Sequence, residues 1–209
     1  MNLLLLIPLN ESPDQFAKLC SLQAAFAQVC NSLAQQVQQV QQSHCWNRVT
    51  LHHLAYKNLR ETFPAMGSQM VCNAIYSVSR TSRLVYQHPD SPFNLSQLNG
   101  KPLPLLRFAN TCPVYFDRHT LSIKNGRLSM YTLEGRIRFD VVLSPEDESS
   151  FHKNKLREVA LARSTAGGFE LSFLFSLASQ LPLQIDHPIA AESLDSGQIP
   201  EYVMIDEAT

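Results

Sequence analysis

Charge is scarce in this sequence. Lys, Arg, Asp and Glu make up 17% of the 209 residues, with a formal net charge of −1, against about 25% charged residues in an average domain. A uniformly basic nucleic-acid coat is therefore excluded, and any electrostatic function must come from the distribution of charge. A long apolar run is also missing. The apolar opening, residues 1–9, is too short to span a bilayer and lacks the basic start and small-residue cleavage site of a leader, so it reads as a first β-strand and no membrane partner is expected. The five cysteines, Cys20, Cys30, Cys45, Cys72 and Cys112, are odd in number and contain no Cys-x-x-Cys pair. This favours reduced core thiols in a cytoplasmic protein over disulfides or a metal site.

With 44% apolar residues, the chain can build a sizeable core in one or two globular domains, and disorder, collagen and coiled-coil arrays are ruled out. The charges it does have are segregated. Residues 44–139 carry twelve Lys/Arg against four acids, whereas residues 140–209 carry four against twelve. A neutral total thus combines a middle of net +8 with an end of net −8, an asymmetry that directs attention to nucleic-acid contact by the basic part.

Periodicity divides the chain. Phe16, Leu19, Leu22, Phe26, Val29, Leu33, Val37 and Val40 recur at steps of three or four, the spacing of one helical face. Ser12, Pro13, Asp14 and Gln15 supply a start signal for that helix over residues 13–43. A second helix is expected over 50–62, with Leu51, Leu54, Ala55 and Leu59 inward, and a third over 66–86, with Met70, Val71, Ala74, Ile75 and Val78 inward. Residues 88–103 read as a connector. From residue 104 the period changes to two, and strands are punctuated by Asn125-Gly126, Glu134-Gly135 and Ala166-Gly167-Gly168 as hairpin turns. A polar stretch at 144–155 suits a short helix or loop. The expected fold is α+β: about three helices (11–87) inserted into a small antiparallel β-barrel made of residues 1–10 and 104–180, followed by an acidic tail, 181–209.

The order of these pieces resembles the N-terminal half of the TnpB/OrfB proteins, transposon-encoded RNA-guided nucleases related to type V CRISPR effectors. The resemblance runs through most of residues 1–177. It is carried by Ser12-Pro13-Asp14-Gln15, Ala24-Ala25-Phe26 with Asn31, Leu51-His52-His53-Leu54-Ala55-Tyr56 with Leu59-Arg60 and Phe63-Pro64, then Val114-Tyr115-Phe116-Asp117, Thr120-Leu121-Ser122-Ile123 and Thr132-Leu133-Glu134-Gly135-Arg136. In that family the region is a recognition helical bundle set into a wedge β-barrel, which together grip guide RNA and its RNA–DNA hybrid. The resemblance implies these partners here, and also a separately encoded protein partner. The family's nuclease half, a RuvC-like fold with a zinc ribbon, finds no room in the 209 residues and no paired cysteines. Ile185-Asp186 with Ala190-Ala191, and Met204-Ile205-Asp206, resemble remnants of its entry strand, but a lone Asp cannot assemble a two-metal site. They are read as part of the acidic tail.

Candidate nucleic-acid contacts are Arg60, Arg80, Arg83, Arg118, Arg127, Arg136 and Arg138, because the planar guanidinium suits phosphate, and Tyr56, whose ring can stack a base. Each has an ordinary alternative as surface charge or packing. Arg136 and Arg138 alternate with Ile137 and Phe139, which places both on one strand face. No metal site is expected: His52 and His53 point about 100° apart on a helix, and no third ligand is spaced for them. Cys45 beside His44, and Ser193 near Asp186 and His187, have the residue types of nucleophile and base without the spatial order of a triad. Gly167-Gly168 lacks the Lys-Ser or Lys-Thr of a phosphate loop. The expected function is a non-catalytic RNA-binding module without a cofactor. The competing reading is a protein-interaction or regulatory protein that keeps the fold without the nucleic acid.

Overall fold

The computed structural model describes residues 2–39, 46–177 and 198–207. The chain begins with strand β1 (Asn2–Pro8), followed by helices α1 (Pro13–Gln39), α2 (Arg48–Thr62) and α3 (Ser68–Gln87). Strands β2 (Leu105–Phe108), β3 (Val114–Phe116), β4 (Leu121–Lys124), β5 (Arg127–Thr132) and β6 (Gly135–Asp140) come next, then helix α4 (Pro145–Lys153), β7 (Lys155–Arg163), β8 (Phe169–Ser176) and β9 (Val203–Asp206).

The start signal of α1 is a reciprocal capping box: Gln15 donates its backbone N–H to Ser12 Oγ (3.3 Å), and the Ser12 N–H donates to Gln15 Oε1 (2.9 Å). Leu19, Leu22, Phe26, Val29, Leu33 and Val37 are all buried, as their spacing requires; Val40 lies outside the described residues. Helix α2 buries a narrower stripe than its sequence suggests. Leu51, Ala55 and Leu59 are inside, but Leu54 is 48% exposed, because the short helix turns only its Leu51–Ala55–Leu59 row to the core. Helix α3 is enclosed more fully, burying Asn73, Ser77, Thr81 and Ser82 along with its apolar face. Between α3 and β2, Tyr86 donates from its hydroxyl to the Pro104 carbonyl (2.7 Å), clamping the connector's end.

Among the described residues the strands form three separate antiparallel sheets: a four-stranded sheet in the order β1-β8-β7-β3, a two-stranded ribbon β2-β9 and a three-stranded meander β4-β5-β6. This corrects the expected closed barrel. The break between β3 and β4 falls at a turn where Asp117 Oδ1 accepts the N–H groups of His119 (3.0 Å) and Thr120 (3.1 Å). An Asx-type turn of this kind ends the β3 ladder after three residues, and β4 begins a new one. Strand β1 pairs with β8 along its whole length, from Asn2↔Ser176 to Pro8↔Glu170. The opening strand thus shares a sheet with residues beyond 104, and the three long helices lie between them in sequence.

The segment read as an acidic tail supplies β9, whose residues pair with β2 from Leu105↔Asp206 to Phe108↔Val203. On its other side the Phe108 backbone is matched by Asn31 of α1, which accepts the Phe108 N–H (2.7 Å) and donates to its carbonyl (2.9 Å). One continuous core joins helices and sheets, running from Phe26 and Leu33 through Val78 to Met130, Phe173 and Phe175.

Candidate nucleic-acid interface

The meander is built by its turns. Asn125 (φ 52°) and Gly126 (φ 69°) are both left-handed, the conformation that a two-residue type I′ hairpin demands and that Asn-Gly adopts most readily. The second turn places Gly135 at φ 110°. With the register set, alternation sends Leu128, Met130 and Phe139 into the core and leaves Lys124, Arg127, Arg136 and Arg138 exposed. Cross-strand pairing brings Lys124 opposite Arg127, Ser129 opposite Arg138 and Tyr131 opposite Arg136. Four cations from three strands therefore share one solvent face.

Their ties differ. Arg127 lies 3.5 Å from Asp140 in a pair exposed on both sides, a contact worth at most about 1 kcal/mol. Arg136 donates to the carbonyl and hydroxyl of Ser129 (3.3 Å each) and to the His119 carbonyl (2.6 Å). The side chains of Lys124 and Arg138 have no protein partner among the described residues. At one end the α2–α3 loop borders this face: Tyr131 donates to the Ala65 carbonyl (3.1 Å) and accepts the Gly67 N–H (2.8 Å). Arg60 donates to the Met66 carbonyl in that loop.

Beside the meander lies a cleft of about 470 Å³, lined by Arg48, Gln69, Arg118, His119, Arg157 and Glu158 together with Phe116, Asp117, Leu156 and Val159. Arg157 sits where the β7–β8 register slips, between Leu156 and Glu158. The bulge leaves it out of the alternation of β7. Among the described residues none of Arg48, Arg118 and Arg157 forms an ion pair with a carboxylate. Because Arg136 bonds the carbonyl of His119, the cleft and the meander's cationic face are contiguous.

The other candidates go elsewhere. Arg80 turns inward, 3.5 Å from Glu158, with side chains 19% and 15% exposed. Burial works against its charge, but Tyr115 and Glu158 more than offset this, and its pKa lies above the ordinary value. Burial, and then the charge of Glu158, likewise raises the pKa of Tyr76, whose hydroxyl donates to that carboxylate (2.5 Å). Arg83 is exposed on α3. Tyr56 stacks on His52 with centroids 4.6 Å apart and planes 16° apart, leaving a two-ring platform on α2. Of the candidates, Arg118, Arg127, Arg136 and Arg138 are brought together, with Arg60 at the border.

Arg157, His119 and Gln69 were not among the residues singled out in the sequence. Arg157 stands in the acidic third of the chain and owes its place to a bulge, which leaves no periodic signal. Among the described residues no group of three or more His, Cys, Asp and Glu could hold a metal ion, and no helix is long and apolar enough to cross a membrane. Asp206 pairs with Arg107 across β9 and β2, whereas His44, Cys45, Ile185, Asp186, His187, Ala190, Ala191 and Ser193 lie outside the described residues. Comparison with protein-family profiles and with curated proteins gives no match.

Proposed function

We propose that this chain is a non-catalytic nucleic-acid-binding module that holds RNA, or an RNA–DNA hybrid, across the outer face of the β4-β5-β6 meander. The observation that carries the reading is the face itself: Lys124, Arg127, Arg136 and Arg138 lie on one side of three paired strands, with one carboxylate, Asp140, among them. Such a face offers guanidinium forks to successive phosphates, and contacts of this kind position a strand without reading its sequence. The resemblance to the guide-RNA-gripping half of TnpB-like nucleases supports the same reading, as does the placement of three helices between β1 and the remaining strands.

The test is RNA affinity at several salt concentrations for the intact chain and for Arg136→Gln/Arg138→Gln. The intact protein binds with a steep salt dependence and the variant binds more weakly. Negligible binding by both overturns the proposal. The purified protein leaves single-stranded and double-stranded DNA uncut in magnesium; cleavage abolished by Asp186→Ala or Asp206→Ala overturns the non-catalytic part.

One observation favours a second reading, a protein partner in place of RNA. Among the described residues strand β1 is an edge of its sheet, and Leu4 and Leu6 are 51% and 49% exposed on it. An uncharged edge strand is a template for pairing with another chain. Under this reading Leu4→Lys abolishes partner capture, and the arginine substitutions do not change it.

A further inference from the structure

The cleft formed by Arg48, Gln69, Arg118, His119 and Arg157 has a composition that the meander's open face does not share. We infer that it seats a terminal nucleotide bearing a phosphomonoester, the end of a strand whose remainder lies over the meander. The inference rests on the nucleic-acid reading for the strand, and on the cleft alone for its end.

Charge selects a monoester. Among the described residues two carboxylates line the cleft, and both are engaged. Glu158 is neutralised by Arg80 and accepts from Tyr76. Asp117 accepts from the His119 N–H, the Thr120 N–H, the Thr120 hydroxyl and the Gln69 amide. Set against Asp117 and Glu158, the guanidiniums of Arg48, Arg80, Arg118 and Arg157 leave a net charge of +2. A phosphodiester carries one negative charge, whereas a phosphomonoester carries about −1.5 to −2 at neutral pH. The three arginines that pair with no carboxylate among the described residues can offer bidentate forks to its three free oxygens.

Shape and walls select a nucleotide over a bare ion. Leu156, 44% exposed, gives the cleft an apolar surface above the buried Phe116 and Val159, which inorganic phosphate would leave unused. The volume of about 470 Å³ lies in the range of roughly 300–1,000 Å³ typical of small-molecule sites. The helix terminus beside it is already satisfied, since Asn47 Oδ1 accepts the N–H groups of Val49 (2.9 Å) and Thr50 (3.5 Å). The site is thus made of side-chain cations. A strand leaving it meets Arg136, bonded to the His119 carbonyl at 2.6 Å, and then Arg138 one pleat further along.

The experiment measures binding of the full chain to one RNA sequence ending in a 5′-phosphate, a 3′-phosphate or hydroxyls only, and to adenosine monophosphate against adenosine. One phosphorylated end is preferred by about tenfold or more, as charge-assisted hydrogen bonds imply, and the preferred end gives the strand's polarity. Arg157→Gln, at an exposed position, brings the ratio of phosphorylated to hydroxyl-ended affinity close to one. Arg136→Gln/Arg138→Gln weakens both forms and keeps the ratio. RNA binding without preference for either phosphorylated end overturns the inference and leaves the meander reading standing. A ratio that survives both Arg157→Gln and Arg48→Gln also overturns it. Binding of adenosine monophosphate over adenosine, with no binding of any RNA, supports the cleft and overturns the meander.

Discussion

Arg80 on α3 and Glu158 on β7 face each other at 3.5 Å in a setting completed by the rings of Tyr76, Tyr115 and Tyr202. This pair ties the central helix to the four-stranded sheet. It also removes from the surface an arginine whose sequence neighbourhood suggested phosphate contact. Breaking a buried pair from one side leaves the other charge uncompensated. Arg80→Met therefore lowers the unfolding free energy by roughly 3 kcal/mol, the lower end of the range for buried pairs, since both groups keep some exposure. Urea unfolding checks this, and Arg80→Met/Glu158→Leu recovers part of the loss.

The meander's face makes a quantitative claim about salt. Each phosphate contact on a single strand contributes about 0.7 to the slope of log affinity against log salt. Replacing Arg136 and Arg138 by Gln reduces that slope by about 1.4. Fluorescence anisotropy titrations across a salt series measure it, and an unchanged slope places the phosphates elsewhere.

Removing the C-terminal segment to relieve its acidity would also remove structure. Val203 is 6% exposed, β9 is the ladder partner of β2, and the Tyr202 hydroxyl hydrogen-bonds with that of Tyr115 within the electrostatic reach of Arg80. Deletion of residues 201–209 costs about 2 kcal/mol or more through lost apolar burial and hydrogen bonds, visible as a lower thermal midpoint. Charge is tested separately by Glu201→Gln, Asp206→Asn and Glu207→Gln. If the acidic end competes with phosphate, this triple variant binds RNA more tightly at low salt, with the difference fading as salt shortens the range of exposed charges to about 8 Å at 0.15 M.

Cysteine reactivity follows burial. Burial pushes the Cys112 thiol up to about 12 and the Cys30 thiol well above its ordinary value. A raised thiol pKa keeps the neutral, unreactive form at pH 8. Peptide mapping after brief iodoacetamide treatment of the native protein finds Cys30 and Cys112 unmodified, and both react once the chain is unfolded in urea. Modification of either under native conditions contradicts the core placement.

Gly126 has φ 69°, and a Cβ there would lie 3.3 Å from the Val141 carbonyl oxygen. Gly126→Ala costs about 1–2 kcal/mol from the left-handed backbone. Because the hairpin sets the register of the cationic face, it also weakens RNA binding. Equal stability and affinity in the variant would show that the turn does not control the face.

Local chemistry was legible in the sequence wherever a short-range rule decides the outcome. The capping box at Ser12 and Gln15, the 3–4 spacing of α1, the Asn125-Gly126 turn, and the alternation that puts Arg136 and Arg138 outside with Phe139 inside are each set by neighbours within a few residues. What only tertiary structure decided depends on partners far apart in the chain. The Asp117 turn separates β3 from β4, and the strands of the described residues form three sheets where a closed barrel was expected. Strand β9 pairs with β2 from almost a hundred residues away, which turns an acidic end into part of a sheet. Charge composition could count Arg80 but could not tell that Glu158, 78 residues on, draws it inward. Nor could alternation place Arg157, since a bulge breaks the period that would reveal it. A local rule fixes where a side chain points relative to its own backbone, and the packing of distant segments decides what it points at.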